Sequence, residues 1–347
     1  MTVTELPGHI APAAGRRITP TARLILPADA DRSAWLAARR RGIGSSDIAA
    51  MLGLSKYGNE LTVYYDKRGE LPLESDDSEP AYWGRVDEEG VARRWAMSNR
   101  SVVRRVGLVA NIDRPWQMCT LDRRVAECPI EPGTQCALEI KCRDKMKAPM
   151  WRRGCPDDVL AQTLHQADVC GFEHMHVAVK IGGNDYRQFT VRVADHQQLV
   201  LDLRAAATEL WQRILNGRPP VLDPDADPDP LLDLYRRLHP ERSGVVHIDR
   251  DGDAQDALAD YLQARADVTA AEKRQKAAKA RMLAALGGAE MAVLGDRPAY
   301  SIEQRSKQTP DLSRLAERWP EAYADCVEDR SYSQITIPND IRKRHAA

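Results

Sequence analysis

With 347 residues and 43% hydrophobic content, the chain can bury a full core, and its length suits one large domain with a smaller appendage. No stretch approaches the roughly eighteen apolar residues of a membrane span, and the opening MTVTELPGHIAPAAGRR lacks the apolar core of a signal peptide, so a cytoplasmic protein is expected. The formal net charge of −1 hides a local bias, because between Arg93 and Arg153 fourteen Lys and Arg face six Asp and Glu; such an excess suits phosphate groups, although a solvated face can also carry it.

Residues 1–30 are rich in Ala, Pro and Thr with one short apolar run, ARLIL at 22–26, and read as a flexible arm. Asp31 or Ser33 can cap a helix through AWLAARRRG. A second helix is expected from Ser46 to Leu52 after the GIGSSD turn, and a third from Leu61 to Lys67. Glu79 to Met97 has helical spacing of Val86, Val91 and Trp95, with Pro80 suited to the first turn. RVGLVA, WQMCTLD and CALEIKC then read as three short strands, with EPGT the sharpest turn among them. Val159 to Cys170 reads as a helix, HVAVKI and RQFTVRV as a hairpin around GGND, and Ala194 to Leu215 as a further helix. Helix, three strands, helix, two strands and helix describe an α/β domain over 31–216, a mixed sheet flanked by helices.

The five prolines of NGRPPVLDPDADPDP predict an extended linker over 217–230. The accessory region 231–347 carries a long Ala-rich helix from Asp253 to Leu286. That helix places Leu258, Leu262, Ala266 and Val268 on one side and stops at Gly287 and Gly288. MAVLG and AYSIEQ predict a small β appendage after it.

Of seven cysteines, six fall between Cys119 and Cys170 and none forms a CxxC pair. A zinc or iron–sulfur site wants closely paired cysteines, so the spacing of Cys128, Cys136 and Cys142 predicts buried free thiols instead.

In ALEIKC, strand alternation places Glu139 and Lys141 on one face and Leu138 and Ile140 on the other. E-x-K alone is weak, since about one such triplet is expected by chance in a chain of this length. Its context is stronger. A charged pair inside an apolar strand is costly unless paired or metal-bound, and the preceding strand ends in a second carboxylate, Asp122 of CTLD. Phosphodiester hydrolysis needs hard oxygen ligands of this kind for a divalent cation.

With Asp122, Glu139 and Lys141 in place, the sequence resembles the PD-(D/E)xK nuclease superfamily, and within it the YqaJ and lambda exonuclease family of viral recombination nucleases. WGRVDEEGVA resembles the family helix in which a Gly is followed four residues later by Glu, which selects Glu88. WLAARRRGIGSSDIAAMLG resembles the N-terminal signature, in which Arg39, four residues after Trp35, and Ser46 hold a DNA 5′-phosphate. An Arg fork and a hydroxyl at a helix start suit that group. Asp47 completes the SD pair and reads as structural. LAQTLHQADVCG resembles the helix whose Gln162 lines the active site, with Gln166 one turn on. Arg143, Lys145 and Lys147 are candidate DNA-backbone contacts. One departure is Leu121, where the superfamily's name expects Pro.

The resemblance spans Ser33 to Asn216. It implies a restriction-endonuclease-like fold and a Mg²⁺-dependent, or Mn²⁺-dependent, 5′ exonuclease acting on double-stranded DNA ends. Asp122, Glu139 and the Ile140 carbonyl would be metal ligands, assisted by Glu88, and Lys141 would position the attacking water. It further implies a single-strand annealing protein as partner and a ring-shaped homo-oligomer. Two rivals remain: another PD-(D/E)xK enzyme, whether endonuclease, RecB-like or CRISPR-associated, and a catalytically idle DNA-binding protein.

Overall fold

The computed structural model describes residues 15–73, 78–221, 228–307, 309–328 and 334–344. The chain divides into two units, Met1–Arg242 and Ser243–Ala347. In the first, β1 (Ala22–Pro27) precedes α1 (Arg32–Arg39), α2 (Ser45–Met51), α3 (Glu60–Lys67) and α4 (Glu79–Asn99). Then follow β2 (Val103–Arg104), β3 (Gly107–Asn111), β4 (Met118–Leu121), β5 (Arg123–Val125) and β6 (Cys136–Arg143). The unit closes with α5 (Asp157–Cys170), β7 (His174–Ile181), β8 (Asp185–Arg192), α6 (Gln197–Leu215) and α7 (Pro228–Leu238).

Local chemistry accounts for the boundaries. Asp31 caps α1 by accepting from the amides of Ser33 and Ala34, Pro80 sits in the first turn of α4, and α5 stops at Gly171 in the left-handed conformation, φ 70°.

Five strands form a mixed sheet in the order β2-β5-β6-β7-β8, in which only β6 and β7 run parallel. A second, antiparallel sheet has the order β1-β3-β4. Alternation divides the core between the two faces of the larger sheet. Val177, Val179 and Ile181 of β7 pack with Val159 and Leu164 of α5 and Leu203, Leu210 and Ile214 of α6. Leu138, Ile140 and Ala178 pack with Val91, Ala92 and Trp95 of α4. The result is the expected mixed sheet flanked by helices.

Three features differ from the sequence expectation. Residues 15–30 are not a loose arm: β1 pairs with β3 and buries Ala22, so the ARLIL run is held by a ladder; residues 1–14 of the expected arm lie outside the described residues. The expected linker ends early. Residues 222–227 lie outside the described residues, but Pro228 opens α7, a position that proline tolerates in a helix, and Leu231 and Leu234 join the core with Val63 and Tyr64. The first unit therefore runs to Arg242 rather than to Asn216. Finally, β2 and β5 have two and three residues, too few for alternation to reveal.

In the second unit, α8 (Gly252–Leu286) ends at Gly287, φ 57°, and β9 (Met291–Leu294) pairs antiparallel with β10 (Arg297–Ser301). Three short helices follow, α9 (Leu312–Arg318), α10 (Pro320–Cys326) and α11 (Asn339–Arg344). On α8, Leu258 and Leu262 are half-buried while Ala266 and Val268 are exposed. No helix among the described residues is long and apolar enough to cross a membrane.

Gly107 opens β3 at φ +105°, and a Cβ there would lie 2.2 Å from the Leu26 carbonyl oxygen. Gly107→Ala is expected to lower the unfolding free energy by about 2–3 kcal/mol, read as a lower urea midpoint with an unchanged slope.

Candidate active site

Glu139 lies in the middle of β6 and is 2% exposed. A buried carboxylate needs donors, and α5 supplies two from residues four apart on one face. Gln162 Nε2 donates to Glu139 Oε1 at 2.8 Å and Gln166 Nε2 to Oε2 at 2.7 Å. Lys141, on the same face of β6, places Nζ 2.5 Å from Glu139 Oε1 and 2.9 Å from Gln162 Oε1. Gln166 also donates to the Thr120 carbonyl at 3.3 Å, tying the network to β4.

Asp122 occupies the single residue between β4 and β5, where the chain leaves the three-stranded sheet for the five-stranded one. The β5–β6 ladder reaches only Arg123 opposite Leu138, and beyond it the Ile140 N–H donates to Asp122 Oδ2 at 2.7 Å. Burial pushes the Asp122 carboxyl well above the usual range, the nearby Glu139 charge adds to this, and Lys141 opposes it. Two acids thus share one buried region, an arrangement that cations relieve.

Glu88 projects from α4 and is ion-paired with Arg123, whose guanidinium also donates to the Asp122 carbonyl at 2.6 Å and lies 2.9 Å from Glu89 Oε2. Arg123 is itself buried. It was not among the residues expected from sequence, and the pair RR after CTLD gave no sign of which arginine points inward.

The second group of candidates surrounds α1 and α2. Arg39 Nη2 donates to Ser46 Oγ at 2.6 Å, and the Arg39 guanidinium lies 4.6 Å from the centroid of the Trp35 ring. The Trp35 indole donates to Thr120 Oγ1 at 3.2 Å. Asp47 is the support for this arrangement: it accepts from the Gly44 amide at 2.7 Å, pairs with the buried Lys67 at 2.7 Å and lies 3.6 Å from Arg39. Burial alone would raise the Asp47 carboxyl, but Lys67 and Arg39 outweigh it and hold the group below the usual range. The sequence marks Lys67 only as the end of a helix, and nothing local to it signals this buried pairing.

Both groups reach one cavity of about 520 Å³, lined by Trp35, Arg39 and Ser46 and also by Glu88, Asp122 and Gln162, whereas Glu139, Ile140 and Lys141 lie behind these residues and do not line it. The expected DNA-backbone residues do not line it. Arg143 lies past the acidic pair, 4.0 Å from Asp158, and Lys145 and Lys147 belong to the 3₁₀ turn Lys145–Trp151 that follows β6.

Residues 34–173 match the model of the YqaJ-like viral recombinase domain. The chain is 24% identical over 311 residues to a Bacillus subtilis (strain 168) protein described as uncharacterized protein YqaJ, covering 88% of this chain and 94% of that relative. Among solved structures, the alkaline exonuclease LHK-Exo from Laribacter hongkongensis is similar with a TM-score of 0.41 at 16% identity, over 52% of this chain and 93% of its own. Its complex with dAMP gives 0.42 at the same identity and coverage. The structure of SSO0001 gives 0.33 at 10% identity, over 51% of this chain and 84% of that one.

Removing Lys67 strands a buried carboxylate, so Lys67→Met is expected to cost about 3–5 kcal/mol at neutral pH. The sign with pH follows from the depressed Asp47 value: its stabilisation is complete above the unfolded value of about 3.9 and is lost as pH falls through the lower folded value. Urea unfolding of the two proteins should therefore converge below about pH 4, and a constant difference down to pH 2 would contradict this role for the pair.

Proposed function

We propose, from the premise that residues 34–173 carry a YqaJ-like viral recombinase domain, that this chain is a metal-dependent exodeoxyribonuclease. It digests one strand of duplex DNA from the 5′ end and leaves a 3′ single strand for a single-strand annealing partner. The observation that carries this reading is the single cavity shared by an acidic group and an Arg–Ser pair: a scissile phosphodiester and a terminal phosphate on one strand require both.

The donor set suits Mg²⁺ or Mn²⁺. Asp122 and Glu139 offer hard oxygens, and the Asp122 carboxyl is raised first by burial and then by the neighbouring Glu139 charge, a buried acidic pair that a divalent cation would relieve. Asp122, Glu139 and the Ile140 carbonyl would hold the ion, with Glu88 released from Arg123 to assist. The bound ion would supply Lewis-acid polarisation of the phosphoryl oxygen and offset charge developing there. The protein does the rest. Gln162 and Gln166 fix both oxygens of Glu139, so that carboxylate is oriented before substrate arrives. Lys141, held by Glu139 and Gln162, positions the attacking water through its ammonium. Arg39, supported by Asp47 and Trp35, and Ser46 receive the 5′-phosphate, while Arg143 and Lys145 contact the backbone of the DNA beyond it. A ring-shaped homo-oligomer would keep the enzyme on its substrate.

Linear duplex DNA labelled at a 5′-phosphate tests the reading. Mononucleotides should be released with Mg²⁺ and not with EDTA, and Lys141→Ala should slow release by about 10²–10⁴-fold. Cleavage of covalently closed circles would make the chain an endonuclease, and no cleavage by folded wild type would make it an idle DNA-binding fold.

Arg39→Ala separates exonuclease from endonuclease at the level of the pocket. The preference for 5′-phosphorylated over 5′-hydroxyl ends should fall by about 10–100-fold, the worth of a hydrogen bond to a charged group. An unchanged preference removes the 5′-phosphate assignment from Arg39 and Ser46.

A further inference from the structure

On the α4-facing side of the sheet, away from Glu139 and Lys141, four polar side chains converge in an otherwise apolar layer. Cys136 begins β6 and shares the side of Leu138; His174 and His176 lie on β7 with Ala178 beyond them. The parallel register that sets Leu138 beside His176 brings Cys136 alongside His174. Cys128 enters from the loop after β5. One atom from each of the four lies within 4.8 Å of the other three, and all four residues are buried. Cys128 Sγ is 3.1 Å from His174 Nε2 and 3.6 Å from His176 Nε2.

The surroundings are arranged for ligation. Thr190 Oγ1 lies 3.3 Å from His176 Nδ1, which leaves Nε2 directed at the cysteines. His174 Nδ1 lies 3.3 Å from Glu131 Oε2, close but out of line for a hydrogen bond. The Glu131 amide donates to Cys128 Sγ at 3.4 Å. A carboxylate or hydroxyl behind each ligating imidazole is the usual outer support of a metal site.

We propose that Cys128, Cys136, His174 and His176 bind a single Zn²⁺ as a structural centre. Tetrahedral zinc with bonds of about 2.3 Å to sulfur and about 2.0–2.1 Å to nitrogen places ligand atoms about 3.3–3.8 Å apart; here Cys128 Sγ lies 3.1 and 3.6 Å from the two imidazole nitrogens and no pair exceeds 4.8 Å, so small shifts reach that geometry. Binding releases two thiol protons, one from each cysteine, and the imidazoles enter neutral, so the centre carries no net charge. Soft sulfur with nitrogen selects zinc over the hard cation expected at Asp122 and Glu139. A two-iron cluster would hold the cysteine and histidine pairs on different irons, farther apart than these atoms lie. With four protein ligands no position is open to substrate. The ion joins the loop after β5 to β6 and β7 three residues before Glu139, and so anchors the strand that carries the acidic site.

The test uses full-length protein without a polyhistidine tag, produced in zinc-supplemented medium. Elemental analysis should give one zinc per chain. The site exchanged with Co²⁺ should show tetrahedral visible bands and a near-ultraviolet thiolate-to-cobalt band, which oxygen ligands cannot produce. Asp122→Asn should retain the zinc and the band, whereas Cys128→Ala and His176→Ala should each lose them. Folded wild type that holds no zinc and gives no thiolate–cobalt band overturns the proposal, as does zinc retained in the Cys128→Ala, His176→Ala double variant. If the variants fail to fold, the wild-type zinc content and cobalt spectrum decide.

Discussion

The hydrogen bond from the Ile140 amide to the Asp122 carboxylate governs the geometry of this chain. In an uninterrupted sheet that amide would pair with a backbone carbonyl of the neighbouring strand. Here a side chain takes it, so the β5–β6 ladder ends at Arg123 and Leu138. The chain before Asp122 is free to join a different sheet with β3 and β1. A single residue thus ends one ladder, begins another and places an acid beside Glu139. Its burial is stable because the bond satisfies an amide that would otherwise be orphaned.

A second constraint comes from Glu139. A carboxylate this deep costs several kcal/mol unless its oxygens are paired. Gln162 and Gln166 pair them without adding charge, and Lys141 adds one positive charge. Had both glutamines been lysines, the acid would be neutralised within the protein and little negative field would remain for a cation. The amides therefore satisfy the hydrogen bonds and leave the charge. Arg123 performs the complementary task at Glu88, Glu89 and the Asp122 carbonyl, and holds α4 against the junction of the two sheets.

Much of this was legible in the sequence, for identifiable reasons. β6 could be read because Glu139 and Lys141 alternate with Leu138 and Ile140, and alternation is a local property. Gln162 could be placed at the site only from the family resemblance of its helix, and Gln166 because a helix puts residues four apart on one face. Arg123 and Lys67 could not, since their burial depends on partners 35 and 20 positions away, Glu88 and Asp47. The zinc ligands were hidden for a related reason: cysteine spacing was read as though the ligands must all be cysteines close in sequence, while His174 stands 46 residues from Cys128 and enters through a parallel strand pairing. α7 was concealed by its own prolines, at positions where a helix accepts them.

The position of Asp122 between two sheets carries a consequence for biosynthesis. Its carboxylate reaches Ile140 only after β6 has been made, and Glu139 acquires its amide donors only when α5 has emerged as far as Gln166. Every shorter nascent chain lacks a complete acidic centre, and any chain whose two sheets have slipped in register carries the acid in the wrong place. Completion of the acidic centre is thereby made conditional on correct folding, so that its two carboxylates meet only in a chain whose sheets have already paired in the right register.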